Sequence, residues 1–263
     1  MNLIVMTFNL RINVPSDGEN AWPNRVGAVI ETIKKSEAVI IGVQEGSPSM
    51  IRDLEEKLTE YDWVGEGRRG GMNDELTAIF YKKDIFDVID TGTFWLSETP
   101  EVPASQSWNS AYPRICTWTK LKHIEGIEIY FYNTHLDNIS DDARLNGIKL
   151  ITERISLNDS KEKLPVMLTG DFNIEPDSSV VEYLRNFKIG GRTMKNAYNE
   201  GLAGSNTRPG LTFHDFKGGD IGEPIDYIYV SSDIKIKELF INRNKVNGKY
   251  PSDHYPVSAV IEI

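Results

Sequence analysis

Apolar positions along this chain follow two periods that take turns. Residues 2–8 (NLIVMTF) form a short run of β-branched and aromatic side chains, which predicts a strand. Val26, Val29, Ile30 and Ile33 keep the i, i+3, i+4, i+7 spacing of one helix face, so 25–35 predicts an amphipathic helix. Residues 38–44 (AVIIGVQ) are apolar enough for a strand buried on both faces. Pro48 opens a helix whose apolar face is Ile51, Leu54 and Leu58. Residues 77–83 and 85–90 predict a hairpin, and 115–122 with 127–134 a second one. Ser140, Asp141 and Asp142 supply a helix start ahead of Leu145, Ile148, Ile151 and Ile155. A strand at 165–169, a short helix at 177–185 and strands at 225–231 and 256–263 complete the pattern.

The second half repeats the first. A strand ending in Asn9 has its counterpart in one ending in His135, and Glu45 has its counterpart in Asp171; both pairs are 126 positions apart. An amphipathic helix follows the first strand of each half and a proline-started helix the second. TAIFYKKD (77–84) matches DYIYVSSD (226–233) in pattern. Two similar α/β halves of this kind pack sheet against sheet with helices outside.

Composition narrows this reading. A chain of 263 residues with 40% hydrophobic content can bury a large core, and residues 1–263 are expected to form one domain. Cys116 is the lone cysteine, which excludes an intrachain disulfide and a cysteine-rich zinc site and fits a reducing, cytoplasmic setting. The first ten residues lack a basic leader and a small-residue cleavage site, and they read as a buried strand. No stretch has the length of a membrane span. A net charge of −10 disfavours long duplex nucleic acid as a partner, because phosphate neutralisation supplies most of such affinity. A small phosphorylated substrate remains compatible, since a divalent cation inverts the local field.

Candidate chemistry sits where buried strands end: Asn9, Glu45, His135, Asp171 with Asn173, Asp226, and Asp253 with His254. Each alone has an ordinary alternative, such as a strand-terminating charge, an Asx turn in GDFN, a cap or a surface loop. Six together at strand ends argue for a site. An oxygen-rich set suits magnesium or manganese better than zinc, and the four histidines form no HExxH pattern. Trp22, Trp95, Trp108 and Trp118 lie near these positions; ordinary packing is the preferred reading over a stacking wall for substrate.

TFN (7–9), QE (44–45), NTH (133–135), GDFN (170–173), IDYI (225–228) and SDH (252–254) occur in the order found in the endonuclease/exonuclease/phosphatase superfamily, which the chain resembles over essentially its whole length. DGENAWPNR (17–25), GTFWLSETP (92–100) and PRICTW (113–118) resemble a bacterial subgroup whose substrate is undefined. The resemblance implies a four-layered α/β/β/α sandwich like that of deoxyribonuclease I. It also implies roles. Glu45 becomes the main ligand of magnesium (or manganese), with Asn9 nearby and Asp253 supporting a metal position. Asp171 orients and deprotonates water, and Asn173 holds that water or the phosphate. His254, fixed by Asp226, and His135 contact the phosphate, and Arg114 is a further phosphate contact. His214 is a candidate for the pocket wall. Arg11 departs from the pattern, since apurinic-site nucleases of the superfamily carry an acidic residue there. The expected function is metal-dependent hydrolysis of a phosphoester, mono- or diester, in a small or single-stranded substrate. A nuclease on duplex DNA and a catalytically inactive binding module on the same fold are the alternatives.

Overall fold

The apolar runs become two mixed sheets, each with helices on its outer face, in the α/β/β/α order expected. The structure is a computed structural model that describes residues 1–201 and 209–263. Its first half contains β1 (Asn2–Asn9), α1 (Trp22–Ser36), β2 (Ile40–Gly46), α2 (Pro48–Lys57), β3 (Tyr61–Val64) and β4 (Leu76–Lys82). Then follow β5 (Phe86–Trp95), β6 (Ile115–His123), β7 (Glu128–His135), α3 (Asp141–Lys161), β8 (Val166–Asp171) and α4 (Ser179–Asn186). The last part holds β9 (Lys188–Ile189), β10 (Arg192–Asn196), α5 (Ala197–Gly201), β11 (Asp226–Ser231), β12 (Lys235–Ile241) and β13 (Val257–Glu262). One sheet runs β12-β13-β1-β2-β4-β3 and the other β5-β6-β7-β8-β11-β10-β9.

The internal echo is visible in this order. In each sheet a parallel pair (β1 with β2, β7 with β8) lies between two antiparallel neighbours. The correspondence is not residue by residue. Asn9 lies opposite Gln44, whereas His135 lies opposite Asp171, a register one residue different along the whole pair, and β2 alone carries a bulge against β4 between Val43 and Gly46, where Glu45 sits. The expected hairpin of 77–83 with 85–90 does not form. β4 pairs with β2 and β3 in one sheet, β5 pairs with β6 in the other, and the chain crosses between sheets at Lys83–Ile85. Both segments have strand periodicity and a short link, so sequence spacing alone could not separate a hairpin from a crossover. The hairpin of β6 with β7 forms as expected.

Alternation along the strands explains where the site lies. In β1, Met6 and Phe8 pack under α1 and α2 with Val29, Ile33, Ile51 and Leu54. The opposite face of β1, Leu3–Val5–Thr7–Asn9, turns to the other sheet and changes from apolar to polar toward the strand's end. The facing strands do the same through Ile129–Phe131–Asn133–His135 and Met167–Thr169–Asp171. Where polar meets polar, the sheets are joined by buried bonds. Asn133 Nδ2 donates to the carbonyls of Val43 and Ala78, each at 2.9 Å. Gln44 Nε2 donates to Asn133 Oδ1 at 2.7 Å. Gly42 makes room for this seam, since a Cβ there would lie 2.4 Å from Thr169 Oγ1. β11 and β6 run antiparallel to β8 and β7, so they bring their starts, not their ends, to the same edge.

Replacing Asn133 by alanine should therefore destabilise the fold by about 3 kcal/mol, because two carbonyls and one amide lose their partner in a dry interface. Chemical denaturation measures this, and a loss below about 1 kcal/mol would show that water repairs the seam.

Candidate active site

Asp171 is the hub of the polar edge. It is 1% exposed, and its Oδ2 accepts from Asn9 Nδ2 at 2.9 Å. His135 Nε2 lies 3.5 Å and His254 Nε2 3.7 Å from the same oxygen. The other carboxylate oxygen, Oδ1, accepts the backbone N–H of Asn173 at 2.9 Å. Gly170 permits the close pairing of β7 and β8 just before it, because a Cβ would fall 2.1 Å from the Thr134 carbonyl. Burial and the charge of Asp226 push the Asp171 carboxyl up to about 7, against the pull of His254 and Asn9.

Glu45 reaches the hub through the same amide. Asn9 Nδ2 also donates to Glu45 Oε1 at 3.0 Å, and the N–H of Ile12 donates to Oε2 at 2.9 Å. The bulge gives Glu45 a φ of 59°, which turns its carboxylate out of the strand and into a cavity. Glu45, His135 and Asp171 each offer a ligand atom within 4.8 Å of the others. Asp171, Asp226 and His254 form a second such group. In that group His254 Nδ1 is already 2.9 Å from Asp226 Oδ2, so it is a hydrogen-bonded ion pair and not a cage.

The two histidines at the hub differ in charge. Burial, reinforced by Arg114, holds His135 well below the usual histidine range, so its ring is neutral. Burial opposes charge on His254 too, but Asp226 and Asp171 outweigh it and raise it to about 10. Asp253 is buried with its Oδ2 3.7 Å from Arg11 Nε, and burial raises its carboxyl as well. Asn173 donates Nδ2 to the Leu136 carbonyl at 3.0 Å and lines the cavity. Arg114 donates to Asp137 at 3.3 Å and Asn138 at 2.9 Å.

One cavity of about 300 Å³ gathers Glu45, His135, Asp171, Asn173, Asp253, His254 and Arg114. Asn9 and Asp226 stand behind it and hold Glu45, Asp171 and His254 in place. His214 does not line it. Its ring stacks on Tyr255 at 3.9 Å, its Nδ1 accepts from the N–H of Gly218 at 3.3 Å, and burial lowers it to about 4. Tyr250 and Tyr255, which precede β13, pack against this ring, and sequence spacing carried no sign of that. Asp253, expected to support a metal position with Glu45 and Asn9, belongs to neither of these two groups.

A profile of the endonuclease/exonuclease/phosphatase family matches residues 6–254. The chain belongs to that family. It is similar to an endonuclease/exonuclease/phosphatase from Bacteroides vulgatus, with 33% identity and a TM-score of 0.91 over 100% of this chain and 99% of the other. A Bacteroides thetaiotaomicron mannosyl-6-phosphatase is similar over 99% of this chain and 100% of its own, with 31% identity and a TM-score of 0.88. Among curated proteins, the Kluyveromyces lactis CCR4-Not complex 3'-5'-exoribonuclease subunit Ccr4 is 28% identical over 71% of this chain. The match spans 29% of that protein's length.

Within this family member, part of the cavity wall went unread in the sequence. Arg68, Glu75, Tyr112, Asn138 and Phe213 all line it. Arg68 pairs with Glu75 at 2.8 Å, stacks over Tyr112 at 4.7 Å, and has its carbonyl fixed by Trp95 Nε1 at 2.7 Å. The glycine-rich GRRGGMNDE (67–75) between two strands was the available signal. Asn138, three residues beyond His135, was another. Trp22 and Trp118 are packing residues: Trp22 Nε1 donates to Asp53 at 2.7 Å, and Trp118 lies against Tyr130 and Tyr132.

A histidine raised from 6.5 to about 10 contributes stability that is complete below pH 6.5 and is lost as pH rises toward 10. In metal-free buffer, the stability difference between the parent and His254→Gln should therefore shrink across that window. Urea titrations at several pH values test it; a difference that grows with pH would mean the ring is neutral.

Proposed function

We propose that this protein is a magnesium- or manganese-dependent phosphoester hydrolase whose preferred substrate is a small phosphomonoester, with a sugar phosphate as the first class to test. The observation that carries the reading is the single Asn9 amide bonded to both Glu45 and Asp171. It sets a carboxylate suited to a hard cation at a fixed distance from one suited to water. The donor set fits such an ion: Glu45 and Asp171 present carboxylate oxygens within 4.8 Å of each other and of a His135 ring nitrogen. Glu45, with these ligand atoms of Asp171 and His135 beside it, is the group that would hold it. When bound, the ion would supply Lewis acidity to a phosphoryl oxygen and favour ionised water.

The chain's own groups account for the rest. Asp171, poised near neutrality, can take the proton of a water whose oxygen bonds to phosphorus as the ester P–O bond breaks. Asn173, held by Leu136 and Asp171, orients that water or the phosphate. Charged His254 donates Nε2–H to a non-bridging oxygen while Asp226 fixes the ring through Nδ1. Neutral His135 and Arg114 face the same space. The mannosyl-6-phosphatase likeness over the full length of both chains supports a phosphomonoester of a sugar. The exoribonuclease likeness, over part of the chain, supports single-stranded RNA as the second reading. The net charge of −10 weighs against duplex DNA.

Sugar 6-phosphates, an aryl monoester, an aryl diester, single-stranded RNA and plasmid DNA should be compared with magnesium, with manganese and with excess chelator. Monoester turnover that depends on metal is expected. Full activity in chelator would overturn the metal reading, and RNA cleavage without monoester turnover would favour the second. Asp171→Asn and His254→Ala should each lower turnover at least about 100-fold while the protein stays folded. Glu45→Gln should mainly raise the metal concentration needed for half-maximal rate, read from metal titrations.

A further inference from the structure

One wall of the cavity takes no part in the chemistry proposed above. It is built from Arg68, Glu75, Tyr112 and Asn138, which come from three separate loops. The loops are packed on one another. Trp95 Nε1 donates to the Arg68 carbonyl at 2.7 Å, and a Cβ on Gly70 would lie 3.3 Å from Pro103. Asp137, 1% exposed, ties the other two loops together. Its Oδ2 accepts the N–H of Ala111 at 2.9 Å and Arg114 Nε at 3.3 Å. Its Oδ1 accepts the N–H groups of Ile139 and Ser140 at 3.1 and 2.9 Å. Tyr112 therefore sits on a fixed backbone although it is 45% exposed. Its ring is pinned by two guanidinium groups, Arg68 at 4.7 Å and Arg114 at 5.6 Å. A large ring held rigid and left open inside a polar cavity is a contact surface for a ligand.

The charges of this wall nearly cancel. Arg68 Nη2 lies 2.8 Å from Glu75 Oε1 and its Nε 3.0 Å from Asp74 Oδ2, which Arg69 shares at 2.9 Å. Arg114 pairs with Asp137. Three guanidinium groups thus meet three carboxylates, and burial raises the Glu75 carboxyl to about 7, so the surplus is at most one positive charge. Hydrogen-bond donors are plentiful nonetheless. Among the described residues no acceptor engages Arg68 Nη1 or the Tyr112 hydroxyl, and Asn138 uses only its Oδ1, on Arg114 Nη2 at 2.9 Å. Many donors, little net charge and one open ring suit a neutral ring that carries hydroxyl groups. A second phosphate, as the next link of an oligonucleotide presents, calls for uncompensated cations. The wall adjoins the phosphoryl position, since Arg68 and Arg114 both bear on the charge of His135.

We propose that Arg68, Tyr112 and Asn138 form the subsite for the leaving group, and that it recognises a neutral hydroxylated ring such as a hexose. Tyr112 covers one face of that ring, and Arg68 Nη1 and Asn138 Nδ2 donate to its hydroxyl oxygens. The subsite rests on the phosphomonoester reading above and selects the part of the substrate that the catalytic groups do not touch.

The test compares kcat/KM, at saturating magnesium, for hexose 6-phosphates, their monodeoxy analogues and ethyl phosphate, which has neither ring nor hydroxyl. In the parent, loss of at least one hydroxyl should cost about 10-fold. In Arg68→Lys the same hydroxyl should matter about 2-fold or less, because the fork that reads it is gone. Tyr112→Ala should lower the ratio of hexose 6-phosphate to ethyl phosphate at least about 10-fold, chiefly through KM. Tyr112→Phe should keep most of that ratio, since it keeps the ring face. Thermal unfolding checks each variant, and the exposed Tyr112 keeps the test open if Arg68→Lys is unstable. An unchanged ratio in folded Tyr112→Ala, equal losses on both substrates, or a parent indifferent to every hydroxyl would overturn the subsite. So would RNA cleavage that disappears in Tyr112→Ala while monoester turnover stays, the mark of a wall that stacks a base. A parent that turns over ethyl phosphate but no hexose phosphate overturns the subsite and leaves the hydrolase reading standing. A parent that turns over no monoester overturns that reading first, and the subsite with it.

Discussion

The facing surfaces of the two sheets change from apolar to polar along a single direction, and the site depends on that gradient. At one end Leu3, Val5 and Ile40 belong to the core that both sheets share. At the other end the same faces carry Thr7, Gln44, Asn133, Thr169, Asn9 and Asp171, all buried. Buried polar groups require partners, and Gln44 and Asn9 find theirs across the interface in Asn133 and Asp171. The sheets are consequently joined by directional bonds at one edge and by apolar packing elsewhere. Directional bonds fix relative position in a way that packing does not. The carboxylates of two different sheets can therefore be held against one amide.

That edge gives two histidines opposite protonation states within one network. Both rings are buried and both approach Asp171 Oδ2. For His135 desolvation dominates, and the neighbouring charge of Arg114 adds to it. His254 has Asp226 at hydrogen-bond distance and stays charged. One ring can thus serve as a fixed cation and the other as a neutral donor or acceptor. The same logic lifts Asp171, whose carboxyl is raised first by burial and then by the charge of Asp226. These groups set one another's charge, so removing any one of them alters the others.

Much of this was legible in the order of residues. Strand ends are readable because apolar runs stop abruptly, and Asn9, Glu45, His135 and Asp171 all follow such stops. The caps were readable too, since Ser140 accepts from Ala143 N–H as its position ahead of α3 implies. Arg25 was not. It falls on the buried face of α1, where periodicity predicts an apolar residue, and its four backbone acceptors, Leu10, Arg11, Asn20 and Pro251, include one more than 200 residues away. Arg68 and Glu75 lie in a loop without periodicity, and their contribution depends on Trp95 and Tyr112 from other segments. The crossover after β4 was hidden because strand pattern reports a face, not a partner.

Three left-handed residues border the cavity. Arg11, Glu45 and Asn173 have φ values of 54°, 59° and 53°, and all three line it. Side chains other than glycine rarely persist there unless their surroundings over-determine them. Each of the three is so constrained: Arg11 by Asn9 and Arg25, Glu45 by Asn9 and Ile12, Asn173 by Asp171 and Leu136. The constraining groups are largely the acidic and amide groups of the site itself. Backbone geometry and site chemistry are therefore one network: the bonds that aim Glu45 and Asn173 also occupy lone pairs and protons of Asp171 and Asn9. A group held this way needs little rearrangement when charge develops beside it, which is the condition under which fixed dipoles and charges favour a transition state. Desolvated carboxylates and left-handed side chains lower the stability of the fold, and the continuous apolar core behind them offsets that cost.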